Sequence, residues 1–206
     1  DPKRFHGVDE DIRSVGEFIR LYITRAKRWA SPKFLIGESY GTTRAAGLSG
    51  HLEDRYGVYL NGIMLVSSVL DFQTLSFTPG NDIPHVLYLP TMTATAWYHK
   101  KLAPDLQGDL RKALAESERY AAGDYAAALL QGNRLPAADA DRVAKAVARL
   151  TGLGADYVMR ANLRVTDRQF FKELLRAEGK SVGRFDSRMT GIDRDGVGDT
   201  PDYDPS

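Results

Sequence analysis

Gly37-Glu38-Ser39-Tyr40-Gly41 is the stretch of this chain best suited to covalent chemistry. A serine hydroxyl is a weak nucleophile until its backbone holds it clear of its neighbours and a base takes its proton. The G-x-S-x-G spacing meets the first need. A serine between two glycines can occupy a sharp turn at the carboxyl end of a strand, with a helix starting directly after it. The flanking glycines remove side chains that would collide where strand and helix meet. The start of the helix then faces any negative charge that develops on a substrate. A plain strand–helix turn with a capping serine is spelled the same way. The surroundings favour the nucleophile, with apolar Phe34-Leu35-Ile36 before the turn and small residues after it.

Other groups that could do chemistry are few. There is no cysteine, which excludes disulfides, thiolate catalysis and cysteine zinc sites. The four histidines are His6, His51, His85 and His99. His6 precedes the nucleophile strand and His51 falls on the helix after the turn, both poor places for a general base. His85 reads as a loop residue, and His99 lies in a helical stretch beside Trp97 and Tyr98; both read as lid or surface residues. Asp71 follows an apolar run and could be mistaken for the acid that orients such a base. Asp193, Asp195 and Asp199 around Gly196 suggest a calcium loop, but the spacing fails the EF-hand pattern, so a solvated acidic loop is expected. No metal ligand set and no cofactor are expected.

The elements that must position Ser39 can be read from periodicity. Ile12, Val15, Phe18, Ile19, Tyr22 and Ile23 recur at helical spacing and predict a helix over 9–30. Residues 33–37 read as a buried strand, 42–56 as a helix closed by Gly57, and 62–70 as a second strand. Helix, strand, sharp turn, helix, strand is the order of a crossover unit in a parallel sheet. Residues 73–90 look like a loop. Residues 91–176 look helical throughout, with breaks at Gly123-Asp124 and Gly152-Leu153-Gly154. The tail from Gly179 reads as irregular. Two continuously apolar strands cannot bury both faces or satisfy their outer edges alone. Either further strands within these residues escape a reading by periodicity, or the chain is part of a larger protein whose other strands lie before Asp1 and after Ser206. The opening residues Asp1-Pro2-Lys3-Arg4 do not read as a signal peptide and include no initiator Met, as expected of an internal start.

Composition narrows the classes of partner. The chain has 206 residues, 43% hydrophobic and 27% charged, enough for one sizeable core. Lys and Arg total 28 against 27 Asp and Glu, a formal net charge of +1. No field of one sign is available to attract nucleic acid or an anionic membrane, and no apolar run is long enough to span a bilayer.

Phe34-Leu35-Ile36-Gly37-Glu38-Ser39-Tyr40-Gly41 strongly resembles the nucleophile segment of the serine carboxypeptidases. Leu60-Asn61-Gly62-Ile63-Met64-Leu65-Val66-Ser67-Ser68 and Val182-Gly183-Arg184-Phe185-Asp186-Ser187-Arg188 are similar to segments of its bacterial members, and a helical insertion after the second strand is also a family feature. The resemblance implies a partial α/β-hydrolase fold: residues 1–72 as a core segment, 73–178 as a helical lid, and 179–206 as an irregular return segment. It implies Ser39 as nucleophile, the Tyr40 backbone N–H as half of the oxyanion hole, and Glu38 as a binder of a peptide's terminal carboxyl group. Two such carboxyls share one proton, so acidic pH should favour binding. A carboxylate stabilised by the helix start is the other reading of Glu38. The substrate would be a peptide with a free C-terminal carboxylate, and the compartment periplasmic or extracellular. The triad order of this fold is Ser, then Asp or Glu, then His. The family places the acid after the lid, which Asp71 does not satisfy. The glycine-rich segment that gives the second oxyanion donor is missing from these residues. Asp and His of the triad are therefore expected outside this chain, which alone should be inactive. An esterase or acyl transferase, or a non-catalytic module on the same fold, are the competing readings.

Overall fold

Three acidic residues at the start of an amphipathic segment and a basic one at its end favour a helix by its dipole. In the computed structural model, which describes residue 5 and residues 7–206, that helix is α1, Val8–Arg25. His6 and Asp1-Pro2-Lys3-Arg4 lie outside the described residues. The helix stops short of residue 30. The Arg28 N–H returns to the Ile23 carbonyl at 2.7 Å and the Lys27 N–H to that of Thr24, with Lys27 at φ 53°. This two-bond closure satisfies the last carbonyls and ends the helix.

The chain divides into two compact units, Asp1–Phe72 and Gln73–Ser206. In the first, β1 (Phe34–Glu38) leads into α2 (Tyr40–Tyr56) and then β2 (Gly62–Val66). The two strands pair in parallel, Phe34 opposite Gly62 through Glu38 opposite Val66. The architecture is mixed α/β with a small two-stranded parallel sheet. Gly57 closes α2 in the left-handed conformation at φ 63°. Ile12, Val15, Ile19 and Ile23 of α1 pack with Leu48, Leu52 and Val58, and Leu35 joins this cluster from the sheet. Two glycines let the helices meet: a Cβ on Gly16 would lie 2.7 Å from His51 Cδ2, and one on Gly47 would overlap the tip of Ile12.

The helices cover only the Leu35 side of the sheet. Phe34, Ile36, Met64 and Val66 share the other side and are exposed, Ile36 at 70%. Burial of both faces, expected from the apolar runs, does not hold among the described residues.

The second unit is built on α3 (Ile83–Tyr98), α4 (Pro104–Gln107), α5 (Leu110–Tyr120), α6 (Ala126–Gln131), α7 (Ala137–Thr151), α8 (Ala155–Arg160) and α9 (Asp167–Glu173). Their core includes Leu89, Met92, Leu129, Val147, Val158 and Phe170. The expected loop over 73–90 is half wrong, because α3 begins at Ile83. Pro84 stands in its first turn, where a missing N–H costs nothing, so a residue read as a breaker is a starter. Gly123-Asp124 does not break the chain either. Residues Ala121–Tyr125 form one π turn that carries α5 into α6. A reciprocal cap between Thr166 and Gln169 starts α9.

The tail is less irregular than expected. β3 (Ser181–Val182) and β4 (Thr190–Gly191) pair antiparallel. The acidic loop beyond them is not simply solvated. Lys172 of α9 donates to Asp193 Oδ2 at 2.5 Å and to the Asp195 carbonyl at 2.9 Å, with both side chains of the ion pair about 95% buried. An internal ammonium thus stands where a loop of this composition suggested a metal. Among the described residues no group of three or more acidic or histidine side chains is arranged to hold a metal ion. No helix among them is long and apolar enough to cross a membrane.

Candidate active site

Strand and helix are joined at the turn by a single residue. β1 ends at Glu38, α2 starts at Tyr40, and Ser39 between them takes φ 54°, ψ −122°. Only glycine visits this region cheaply; another residue pays about 1–3 kcal/mol to be held there. Gly37 explains how the approach can be so close. A Cβ there would overlap the Gly41 carbonyl and lie 2.8 Å from the Thr42 nitrogen, and neither is free to move. The same steric reason, expected at Gly41, fails there, since a Cβ on Gly41 meets no described atom within 4 Å.

The strain is held in place by β2 and the residues after it. The Ser39 N–H donates to the Val66 carbonyl at 3.1 Å, and the Ser39 carbonyl accepts from the Thr42 N–H at 2.9 Å and the Thr42 hydroxyl at 2.7 Å. Thr42 is fully buried, and its Oγ1 also accepts the Val69 N–H at 2.8 Å. Thr43 Oγ1 donates to the Val69 carbonyl. Ser67, the residue after β2, is itself at φ 51°. Each strand is therefore followed by a serine with positive φ.

Ser39 occupies the cap position of α2 without acting as a cap. A capping serine has extended backbone and accepts an N–H from the first turn; Ser39 has neither that backbone nor any side-chain cap bond. It is exposed. Glu38, the last residue of β1, is exposed and shares a sheet side with Ile36. The Tyr40 N–H lies in the first helical turn, where the helix offers it no carbonyl. An anion forming beside Ser39 would meet that end of α2.

The Tyr40 side chain belongs to a network that crosses to α1. Its hydroxyl donates to Asp11 Oδ2 at 3.0 Å, and Arg44 grips the same carboxylate with Nε at 2.7 Å and a second nitrogen at 3.0 Å. The Arg44 bonds, with help from Tyr40 and against the effect of burial, hold the Asp11 carboxyl below its ordinary value of 3.8.

Within the first unit, the described residues give Ser39 no hydrogen-bonded base. Among the described residues no acid or imidazole is hydrogen-bonded to its hydroxyl. His51 is twelve residues further along α2, about 18 Å at helical rise. It stands edge-on to Tyr56 with Nε2 buried and unpartnered among the described residues. His85 and His99 belong to the second unit. His85 is in a helix, not a loop, and is buried; its Nδ1 meets the Val165 carbonyl at 3.1 Å, and burial pushes it below its ordinary value despite that bond. His99 follows α3 and bonds the Ser187 carbonyl at 2.7 Å. Each makes that bond to a residue of its own unit.

Sequence reading passed over Asp11, Arg44, Thr42 and Thr43. Arg44 lies four residues after Tyr40, so the pair shares a helix face, but nothing local links either to Asp11, 33 residues before Arg44. No protein-family model, curated protein or solved structure matches the chain.

Proposed function

We propose that this chain is the nucleophile-bearing portion of an α/β-hydrolase of the serine carboxypeptidase kind. Ser39 Oγ attacks the carbonyl carbon of the last peptide bond while its proton passes to a histidine supplied by the rest of the polypeptide. The oxyanion faces the Tyr40 N–H, a donor of a type worth about 3 kcal/mol in the transition state. The carbon–nitrogen bond breaks, the amine leaves with the proton, and water then cleaves the Ser39 ester. Glu38 pairs with the substrate's terminal carboxyl through a shared proton. The rest of the polypeptide adds strands to the sheet and supplies the acid of the triad as well as its base.

One observation carries the reading: an exposed, non-capping serine held at φ 54°, ψ −122° between a strand and a helix. Strained backbone of this kind clusters at active sites, where it aims a side chain. The open side of the sheet is consistent with further strands and helices.

Kinetics of the full natural polypeptide on N-blocked dipeptides test this. Ser39→Ala should abolish turnover. Glu38→Gln should raise KM at acidic pH and flatten its rise with pH, because an amide cannot share the proton. If simple esters turn over rapidly with no gain from a free C-terminal carboxylate, the carboxypeptidase assignment fails and an ester or acyl-transfer activity takes its place.

A further inference from the structure

We propose that Asp11 is a positioning residue for the oxyanion donor, acting through Tyr40 and Arg44 on the first turn of α2; this rests on Ser39 being the nucleophile. The donor N–H and the Tyr40 side chain share one Cα, so fixing the phenol limits how that peptide can rotate. The phenol is fixed at two points. Its hydroxyl donates to Asp11, and the Arg44 guanidinium lies 5.3 Å from the ring centroid while gripping the same carboxylate through two nitrogens. Only 16% of the Asp11 side chain is exposed, so water competes weakly for it.

The remaining bonds to this turn come from the opposite side. Val66 and Val69 hold Ser39, Thr42 and Thr43, and Thr42 in turn holds the Ser39 carbonyl, which shares a peptide plane with the Tyr40 N–H; none of these bonds reaches the Tyr40 side chain. The Tyr40 amide is thus held at both ends, by Thr42 through the Ser39 carbonyl and by α1 through the Tyr40 side chain, and only the second hold passes through Asp11. Asp11 is not part of the apolar cluster between α1 and α2, where Ile12, Val15, Ile19 and Ile23 do the packing. Its carboxylate can therefore be altered while that packing is kept.

An ion pair that merely tied two helices together would change stability and leave the chemistry alone. Positioning makes a different prediction, because a donor displaced by about 1 Å costs roughly a hundredfold in rate. In the full natural polypeptide, Asp11→Asn should lower kcat for an N-blocked dipeptide by about 10- to 100-fold with KM within about twofold. Affinity for a peptide boronate, which forms a tetrahedral adduct on the serine, should fall by the same factor as kcat/KM. The double variant Asp11→Asn with Arg44→Gln should be no slower than Asp11→Asn alone, since the two act as a unit. Tyr40→Phe, which deletes one oxygen, should give a smaller loss of kcat in the same direction and serves as the reading if Asp11→Asn does not fold. Unchanged kcat in folded variants, or a change confined to KM, overturns the positioning role. A fluorophosphonate separates the two failures. Wild-type protein unlabelled at Ser39 removes the nucleophile and the proposal with it, whereas labelled variants with wild-type kcat remove only the role of Asp11.

Discussion

Ser39 is defined by a conflict between its residue type and its backbone. Glycine would sit at φ 54°, ψ −122° without penalty, so a serine there trades stability for a hydroxyl. Ser39→Gly should stabilise the fold by about 1–2 kcal/mol in denaturant unfolding, while removing all activity. Equal or lower stability of the glycine variant would mean that the backbone is not strained. The strand–turn–helix around Ser39 was legible from five letters and an apolar flank. Its supports were not. Asp11 and Arg44 are separated by most of α1, a loop and β1, and only the packing of α1 on α2 brings them together. Periodicity locates the faces that pack; it carries no information about which polar side chains meet at their rim.

Among the elements, the close meeting of β1 and α2 depends on Gly37 alone. Gly37→Ala would drive a methyl into the Gly41 carbonyl and the Thr42 nitrogen, both backbone atoms. It should cost about 3 kcal/mol, the upper end for an overpacked site, read as a lower unfolding midpoint. Gly47→Ala meets only the movable tip of Ile12 and should cost less. The ends of α2 and α7 were legible from Gly57 and Gly152, whose left-handed caps close those helices, whereas α2 starts at Tyr40, two residues earlier than expected. The errors have one cause, that punctuation residues act by position. Pro84 starts α3 because it falls in a first turn, and Gly123 is absorbed by a π turn because α5 and α6 share one core. Lys27 ends α1 without the glycine that usually signals such a closure.

At the scale of the whole molecule, two features lie beyond a local reading. The first is the open side of the sheet, where Phe34, Ile36, Met64 and Val66 are exposed. Apolar runs announced strands made for burial, but not how much of the sheet these residues would form. The second is the Lys172–Asp193 pair, which ties the tail to α9 across 21 residues. Burial alone would raise the Asp193 carboxyl. The bond from Lys172 and the N–H groups of Asp202 and Arg194 outweigh burial and hold it below 3.8. A depressed carboxyl contributes stability that is complete above its unfolded value and disappears as pH falls through its lower folded value. Wild-type protein should therefore keep this contribution down to pH 3.8 and lose it only in stronger acid. Lys172→Met leaves a buried carboxylate without its cation and should destabilise the second unit by about 3–5 kcal/mol at neutral pH. With burial then opposed only by those two N–H groups, the variant should be least impaired in acid, where the carboxyl is neutral. Thermal unfolding of both proteins between pH 3 and pH 7 reads this; a constant difference across that range would contradict it.

The central claim is that the turn between β1 and α2 presents the Ser39 hydroxyl as a nucleophile. Mass spectrometry of the full natural polypeptide after treatment with a fluorophosphonate measures this most directly. One adduct, on the peptide containing Ser39 and absent from Ser39→Ala, is the predicted result. An unmodified Ser39 peptide, or the same labelling in the alanine variant, would contradict it.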